Sequence, residues 1–273
     1  MRGKNVVIIL LTVVLFLSVS VLGVATVYRV SDVTVNAPVV SDEAKTEAQA
    51  LQARLLQAYD KQSTFFVDDT LAQEIVADFP YFRITSFQRA YPNRLVVEIT
   101  EDAEVYGVRF DDGYYILNAS GTVLGIREDY NNRTDGESNI LIFSTPTLPL
   151  VAQKGQPLTG DSSIDALFAV CARMNELFVA QPTISSTRGI RGNVISIEII
   201  KPVVAESEIT YKFSMSEGVC IYIRNPLSRT LEKAEKAVNA YLNLNDRQKL
   251  TGMIAVFDDE TQIKDVYYQD IVF

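Results

Sequence analysis

Residues 82–101 read FRITSFQRAYPNRLVVEITE, and the prediction for the region around them starts from this segment. Two strand-like runs flank Tyr91-Pro92-Asn93. Proline fixes φ in a tight turn, and Asn93 is expected in the left-handed conformation that such turns need. After the turn, apolar and more polar residues alternate from Leu95 to Ile99, as in a strand with one buried face. The segment therefore predicts a β-hairpin whose first strand covers residues 82–89.

Three further elements are predicted upstream of this hairpin. Residues 30–36 have the pattern of a short strand, and Ser41 opens a helix in which Leu51 and Leu55 recur at helical spacing. A second, shorter helix follows. The order strand, helix, helix, strand, strand predicts a small α+β unit over residues 29–101.

The second helix carries start and stop signals of its own. Asp68, Asp69 and Thr70 offer side-chain oxygens for its N-terminus, and Gln73 stands three residues after Thr70, as in a capping box. Pro80 is expected to end the helix. Three apolar residues are predicted to line one face: Leu71, Ile75 and Phe79.

An apolar run precedes this unit. No charged residue occurs over residues 5–28, and about 20 apolar residues in a helix cross the roughly 30 Å hydrocarbon layer of a bilayer. A cleaved signal peptide is the alternative, with Gly23-Val24-Ala25 as its cleavage site, but the apolar core of a signal peptide has about 7 to 15 residues. The length favours an uncleaved transmembrane helix over residues 5–28, in contact with the lipid bilayer.

The charges beside this run predict its orientation. Arg2 and Lys4 lie in residues 1–4, and positive residues are retained on the cytoplasmic side of a membrane. We therefore expect a cytoplasmic tail over residues 1–4, one membrane span and an extracytoplasmic remainder. The sequence has no second apolar run of spanning length, so a single-pass protein of the cytoplasmic membrane is predicted.

Residues 102–273 are predicted to form a mainly antiparallel β domain. Short strand-like runs over residues 105–126 are separated by Asp112-Gly113 and Ser120-Gly121, which are hairpin signals. Residues 127–138 are rich in Asp, Asn and Gly and lack periodicity, so a polar loop that projects into solvent is expected there.

Two amphipathic helices are predicted in the second half of that domain. One begins near Ser162, and the other is expected to start at Asn225-Pro226, as N-cap and first helical residue. A strand over residues 194–200 is predicted to direct three isoleucines to one face: Ile195, Ile197 and Ile199. Further strands are predicted over residues 209–214, 219–223, 253–257 and 263–268. A sheet backed by the two helices would bury these apolar surfaces, so the predicted fold class is α+β.

Composition excludes several classes of active site. The 273 residues include 25 Lys and Arg against 34 Asp and Glu, and this formal net charge of −9 argues against nucleic-acid binding. No histidine is present, which excludes His-dependent nucleophile sites and His-ligated metal centres. No phosphate-binding or catalytic motif is recognisable, so no catalytic residue, cofactor or metal is expected.

Two features leave alternatives open. The acidic groups Asp111-Asp112 and Asp258-Asp259-Glu260 fit general acid-base chemistry, as in an anchored extracytoplasmic hydrolase, but acidic residues are also ordinary in hairpin turns. Cys171 and Cys220 could form a disulfide in an oxidising compartment. The position of Cys171 on an apolar helix stripe favours a buried free thiol instead.

The order of these parts resembles the FtsQ/DivIB family of bacterial cell-division proteins, in which a membrane span precedes a POTRA domain and a β domain. Four segments carry the resemblance: residues 30–35 (VSDVTV), 63–68 (STFFVD), 91–101 (YPNRLVVEITE) and 114–124 (YYILNASGTVL). The resemblance implies a POTRA-like domain over residues 29–101, a β domain over residues 102–273 and a non-enzymatic role. A membrane-anchored POTRA-type module for sporulation or envelope assembly is the alternative, because it would share this topology.

The resemblance also implies partners and a place in the cell. The β domain would bind bitopic proteins similar to FtsL and FtsB/DivIC, and the protein would help to regulate septal peptidoglycan synthesis at the division septum. In the family a late strand of the β domain pairs with the partner by strand addition. The corresponding residues here are Val256, Phe257, Tyr267 and Tyr268. Because adjacent strand residues point to opposite faces, one ring of Tyr267-Tyr268 is expected in the core and the other at the surface.

Overall fold

A computed structural model describes most of the chain, which divides into two compact units. Unit 1 is Met1–Asp102 and unit 2 is Ala103–Phe273. The described residues are 2–38, 42–110, 113–134, 140–145, 152–160, 162–181, 189–201, 209–259 and 262–269.

Unit 1 begins with a long apolar helix, α1 (Arg2–Val27). Its segment Leu10–Val27 has a mean hydropathy of 2.5 and is long and apolar enough to cross a membrane. The side chains of that segment are all exposed. An apolar surface of this length is costly in water, so its composition suits a hydrocarbon environment.

The rest of unit 1 is a three-stranded sheet with two helices. Its elements are β1 (Asp32–Asn36), α2 (Asp42–Tyr59), α3 (Thr70–Val76), β2 (Phe82–Ala90) and β3 (Arg94–Glu101). The sheet order is β1-β3-β2, in which β1 pairs parallel and β2 pairs antiparallel with β3. The predicted hairpin and the order strand, helix, helix, strand, strand are therefore present.

Burial explains why β3 occupies the centre of this sheet. Leu95, Val97 and Ile99 alternate along the strand and are fully buried, together with Leu51 and Leu55 of α2. The alternation along β3 matches the period of a strand, and the spacing along α2 matches one face of a helix. The two patterns together enclose one hydrophobic core.

Three local expectations for unit 1 are wrong. The turn contains a cis Tyr91-Pro92 peptide, and Asn93 does not take a positive φ. The capping box of α3 is not formed, because the Asp69 carboxylate accepts a hydrogen bond from the Gln73 side chain at 2.7 Å and makes no side-chain cap. The helix also ends at Val76, ahead of Pro80.

Unit 2 is built around a nine-stranded, mostly antiparallel sheet of order β12-β11-β10-β9-β8-β7-β4-β5-β6. Its elements are β4 (Tyr106–Phe110), β5 (Gly113–Leu117), β6 (Val123–Arg127), β7 (Leu141–Ser144), α4 (Ser162–Val179), α5 (Ile190–Asn193), β8 (Val194–Ile200), β9 (Thr210–Met215), β10 (Cys220–Arg224), α6 (Thr230–Leu242), α7 (Asp246–Lys249), β11 (Met253–Asp259) and β12 (Gln262–Tyr268). The overall class is α+β, as predicted.

The predicted pair of helices is also present. α4 packs against α6, and α6 packs against β10, β11 and β12. The buried residues of α4 lie at helical spacing and belong to the core of unit 2: Ile164, Leu167, Cys171, Met174 and Phe178. One face of the sheet is thus covered by helices.

Two expectations for the strands and helices of unit 2 are wrong, and one strand was not predicted. Ile195 is exposed, because a bulge between Val194 and Ser196 in the pairing with β9 shifts the alternation. The helix α6 begins at Thr230, since Asn225 has φ 48° and forms a turn in which its carbonyl accepts from the Ser228 N–H. The strand β7, which pairs parallel with both β4 and β8, is not among the predicted strands.

The loop expected to project into solvent is bound to unit 2 over its described part. Glu104 is fully buried, and its carboxylate accepts hydrogen bonds from Arg127 Nη2 at 2.8 Å and from the Arg133 N–H at 2.9 Å. Thr134 is also buried and accepts from the Glu104 N–H at 2.8 Å. Residues 127–134 therefore pack on the domain through one buried carboxylate, while residues 135–138 lie outside the described range.

Candidate protein-interaction site

The last hairpin of the chain forms one edge of the large sheet. Within the described residues, β12 pairs with a strand on one side alone, in antiparallel register from Met253 opposite Tyr268 to Asp259 opposite Gln262. Alternate N–H and C=O groups of an edge strand point away from the sheet. This edge is therefore a surface on which a further strand can be added.

The inner strand of the hairpin is not an edge. Val256 is fully buried, and its backbone lies between Ile223 of β10 and Asp265 of β12. Three consecutive residues of β11 are buried, Ile254, Ala255 and Val256, and of these Ile254 and Val256 belong to the core of unit 2. The side chain of Val256 is thus inaccessible in this fold.

The other three predicted contact residues lie on two different faces. Tyr267 is half-buried against the core, and its hydroxyl lies 3.1 Å from the Gln248 carbonyl oxygen and 3.0 Å from that of Thr251. Tyr268 is 43% exposed and follows on the opposite face. The expectation of one core ring and one surface ring is confirmed.

Phe257 shares the open face of the sheet with Tyr268. Phe257 lies on the same face of β11 as Met253, because the two are an even number of residues apart. Met253 is opposite Tyr268, and Phe257 is opposite Lys264, so Tyr268 lies on that face too. Phe257 is half-buried. The hairpin therefore presents one exposed and one half-buried aromatic side chain, four positions apart, on the face that α6 does not cover.

Three ion pairs involve the charged residues of this hairpin. Lys233 of α6 pairs with Asp258 of β11 at 2.6 Å, and Lys236 of the same helix pairs with Asp265 of β12 at 2.9 Å. Lys264 pairs with Asp259. The first two pairs connect the hairpin to α6. Charged residues in the middle of β12 also limit unspecific pairing between edges.

Lys233 is the most unusual of these groups because its side chain is fully buried. Its ammonium group donates to the carbonyl oxygens of Arg224 at 3.0 Å and Asn225 at 2.6 Å, besides Asp258. A buried ammonium requires such partners, since removal from water is costly. This residue is not among those predicted from the sequence. The sequence feature that indicates its burial is the position of Lys233, four residues before the buried Ala237 on the apolar stripe of α6.

The acidic groups considered for hydrolysis are described only in part, since Glu260 lies outside the described residues. Asp258 is in the ion pair with Lys233, and Asp111 and Asp112 lie outside the described residues. No group of three potential metal ligands is found among the residues that the structure describes.

The two cysteines lie on opposite sides of the sheet and are both free. Cys171 belongs to the core, where burial raises the pKa of its thiol to about 12. Ile221 and Ile223 of β10 also point into the core, so Cys220 and Tyr222 point to the open face. The sheet itself thus separates the two sulfurs, and the disulfide alternative is not realised.

Comparison with protein-family models and with curated protein sequences identified no match for this chain.

Proposed function

We propose that the protein is a bitopic membrane scaffold of the FtsQ/DivIB type. It would bind other proteins of the bacterial division complex and help to regulate septal peptidoglycan synthesis. One observation carries the proposal: an apolar helix precedes a β-α-α-β-β unit with sheet order β1-β3-β2, and a larger sheet with α6 packed behind its terminal hairpin follows.

The proposed topology follows from the charges around α1. Arg2 and Lys4 support a cytoplasmic N-terminus, from which α1 would cross the membrane once. The POTRA-like β-α-α-β-β unit and the β domain lie outside the cytoplasmic membrane. The protein works at the division septum.

The proposed partner mode is strand addition to β12. Bitopic proteins similar to FtsL and FtsB/DivIC would contribute a strand, whose backbone groups pair with the free edge. Tyr268 and Phe257 would supply side-chain contacts on the open face, and aromatic residues are enriched at such interfaces. Val256 would affect partner binding only by stabilising the core of unit 2, because its side chain is fully buried.

We expect Tyr268→Ala to weaken binding of the partners by at least about fivefold, because tyrosine is enriched among the interface residues whose truncation costs more than about 1 kcal/mol. Affinity is measured with the full chain in detergent micelles and the purified partner. Ile126→Ala is the matched control, since Ile126 is 54% exposed on β6 at the opposite edge of the same sheet.

Photo-cross-linking separates a contact from an indirect effect. With p-benzoylphenylalanine at position 268, a cross-linked partner is expected in cells, and none is expected with the same group at position 126. Equal affinities of Tyr268→Ala and the unchanged protein, without a cross-link at position 268, would contradict binding at this edge.

A further inference from the structure

An apolar groove of about 510 Å³ lies in unit 1, between the end of α1 and the loop that follows α2. The helix side is formed by Val21, Val24 and Tyr28, and the loop side by Lys61, Phe65 and Phe66. We refer to it as the α1 groove. It is separate from the edge strand discussed above.

Buried hydrogen bonds hold the loop beside the helix end. Thr64 is fully buried, and its N–H donates to the Tyr28 carbonyl oxygen at 2.8 Å. Its hydroxyl lies 2.9 Å from the same oxygen and 2.6 Å from the Pro92 carbonyl oxygen. The Val30 N–H donates to the Gln62 carbonyl oxygen at 2.9 Å. The groove is therefore a fixed part of unit 1.

The rim of the α1 groove is unusually aromatic and exposed. Phe66 is 86% exposed, and Phe65 and Tyr91 are also exposed. The ring of Phe65 lies 4.5 Å from that of Tyr28 and 5.5 Å from that of Tyr91. Outside α1, the described part of unit 1 exposes one other large apolar side chain, Leu56. Exposed apolar side chains clustered in this way mark an interaction surface.

The position of the groove along α1 identifies what covers this surface. The lining residues run from Ser20 to Tyr28, about 12 Å at 1.5 Å per residue. The hydrocarbon layer takes about 20 residues of a helix, and the uncharged stretch ends at Tyr28. The groove thus lies where the outer hydrocarbon boundary meets the headgroups, a level at which aromatic rings are enriched.

We propose that the α1 groove binds a phospholipid of the outer half of the bilayer. The acyl chain lies against Val21, Val24 and Phe66, and the phosphate lies near the ammonium group of Lys61. That ammonium is 3.6 Å from the Asp60 carboxylate, and both side chains are more than half exposed, so it can turn to an anionic headgroup. This inference rests on the proposed membrane anchoring.

The absence of tryptophan from the sequence gives a direct test. Three single-tryptophan variants of the full chain are reconstituted in phosphatidylcholine vesicles with phosphatidylglycerol brominated on its acyl chains: Phe66→Trp, Phe16→Trp within α1, and Leu56→Trp on α2. Bromine quenches tryptophan at contact. We expect strong quenching at positions 66 and 16, and at least threefold less at position 56.

The three positions separate this inference from the anchoring on which it rests. Quenching at position 16 together with equal, weak quenching at positions 66 and 56 would overturn the groove and leave the anchor intact. Absence of quenching at position 16 would contradict the anchor, and the groove with it.

Charge reversal tests the place of the phosphate. In the Phe66→Trp background, Lys61→Glu is expected to lower quenching by brominated phosphatidylglycerol at least twofold, whereas Lys61→Arg keeps it, because the cation is retained. Unchanged quenching in Lys61→Glu would overturn the assignment of the phosphate to Lys61.

Discussion

At the residue scale, the ammonium group of Lys233 joins three parts of unit 2. It binds the carbonyl oxygens that end β10 and the carboxylate of Asp258 on β11, and it does so from the inner face of α6. Asp258 itself is 31% exposed. Water therefore reaches one partner of this pair and moderates the cost of its loss.

We expect Lys233→Met to lower the free energy of unfolding of unit 2 by about 2–3 kcal/mol. The variant keeps most of the volume but leaves buried carbonyl oxygens without a donor. Lys236→Met is the matched control on the same helix, because the Lys236–Asp265 pair is exposed and is expected to contribute less than about 1 kcal/mol. Urea unfolding of the full chain in detergent measures both; equal effects would contradict the special role of Lys233.

The thiol of Cys171 gives a second prediction at this scale. Because burial raises its pKa to about 12, the thiolate form is scarce at every pH up to about 10, and the folded protein hides the sulfur as well. We expect a maleimide reagent to modify Cys171 only after unfolding, with no acceleration between pH 7 and pH 10 in the native state.

Mass spectrometry of the labelled peptides separates the two cysteines in that experiment. The Cys171→Ala variant provides the baseline signal of Cys220, which is partly exposed. Rapid modification of Cys171 in the native protein would contradict its burial. Recovery of Cys171 in a disulfide with Cys220 would contradict the placement of the two residues on opposite sides of the sheet.

Sequence patterns predict which face a residue occupies as long as the strand is regular. The alternation along β3 is predicted correctly from Leu95 to Ile99, whereas Ile195 is misplaced because a bulge inserts one residue into the alternation. The burial of Lys233 was not predicted, since lysine is almost never fully buried unless its charge is paired. Its partner, Asp258, is distant in sequence, and the pairing requires the fold.

At the element scale, the hairpin of β11 and β12 depends on Gly252. This residue has φ 92°, a conformation that residues with a side chain rarely adopt. A Cβ atom there would collide with the Tyr268 carbonyl oxygen and would lie 3.0 Å from the Tyr267 hydroxyl. The turn before β11 therefore requires glycine in order to approach the end of β12.

We expect Gly252→Ala to destabilise unit 2 by at least about 1 kcal/mol and to displace the end of β12, because both the backbone conformation and the space disfavour a side chain. Thermal unfolding followed by circular dichroism measures the change. Thr251→Ala serves as the control, since it keeps the carbonyl group that faces Tyr267. A variant as stable as the original would show that the turn has another conformation.

The same hairpin shows where sequence-based prediction of elements ends. Periodicity identifies β11, β12 and α6 as elements, but it does not say which strand lies at the edge. That order follows from α6, which crosses over between the parallel strands β10 and β11 and so places β11 inside the sheet. For the candidate site, the patterns therefore predict that one ring of Tyr267 and Tyr268 is at the surface, but they do not say which, and they do not exclude Val256.

At the scale of the whole molecule, the described residues form two hydrophobic cores and one exposed apolar helix. Each compact unit has its own core, whereas the side chains of α1 from Leu10 to Val27 are covered by neither core. The edge strand β12 lies in unit 2 and the α1 groove lies in unit 1, so variants of one are expected to leave the other intact.

The proposed role at the division septum is tested by the position of the protein in the cell. A fluorescent protein is fused to the N-terminus, and the fusion replaces the native copy while cells are followed through division. We predict a band at mid-cell that arrives before constriction begins. A uniform signal over the cell membrane throughout the cycle would contradict this role.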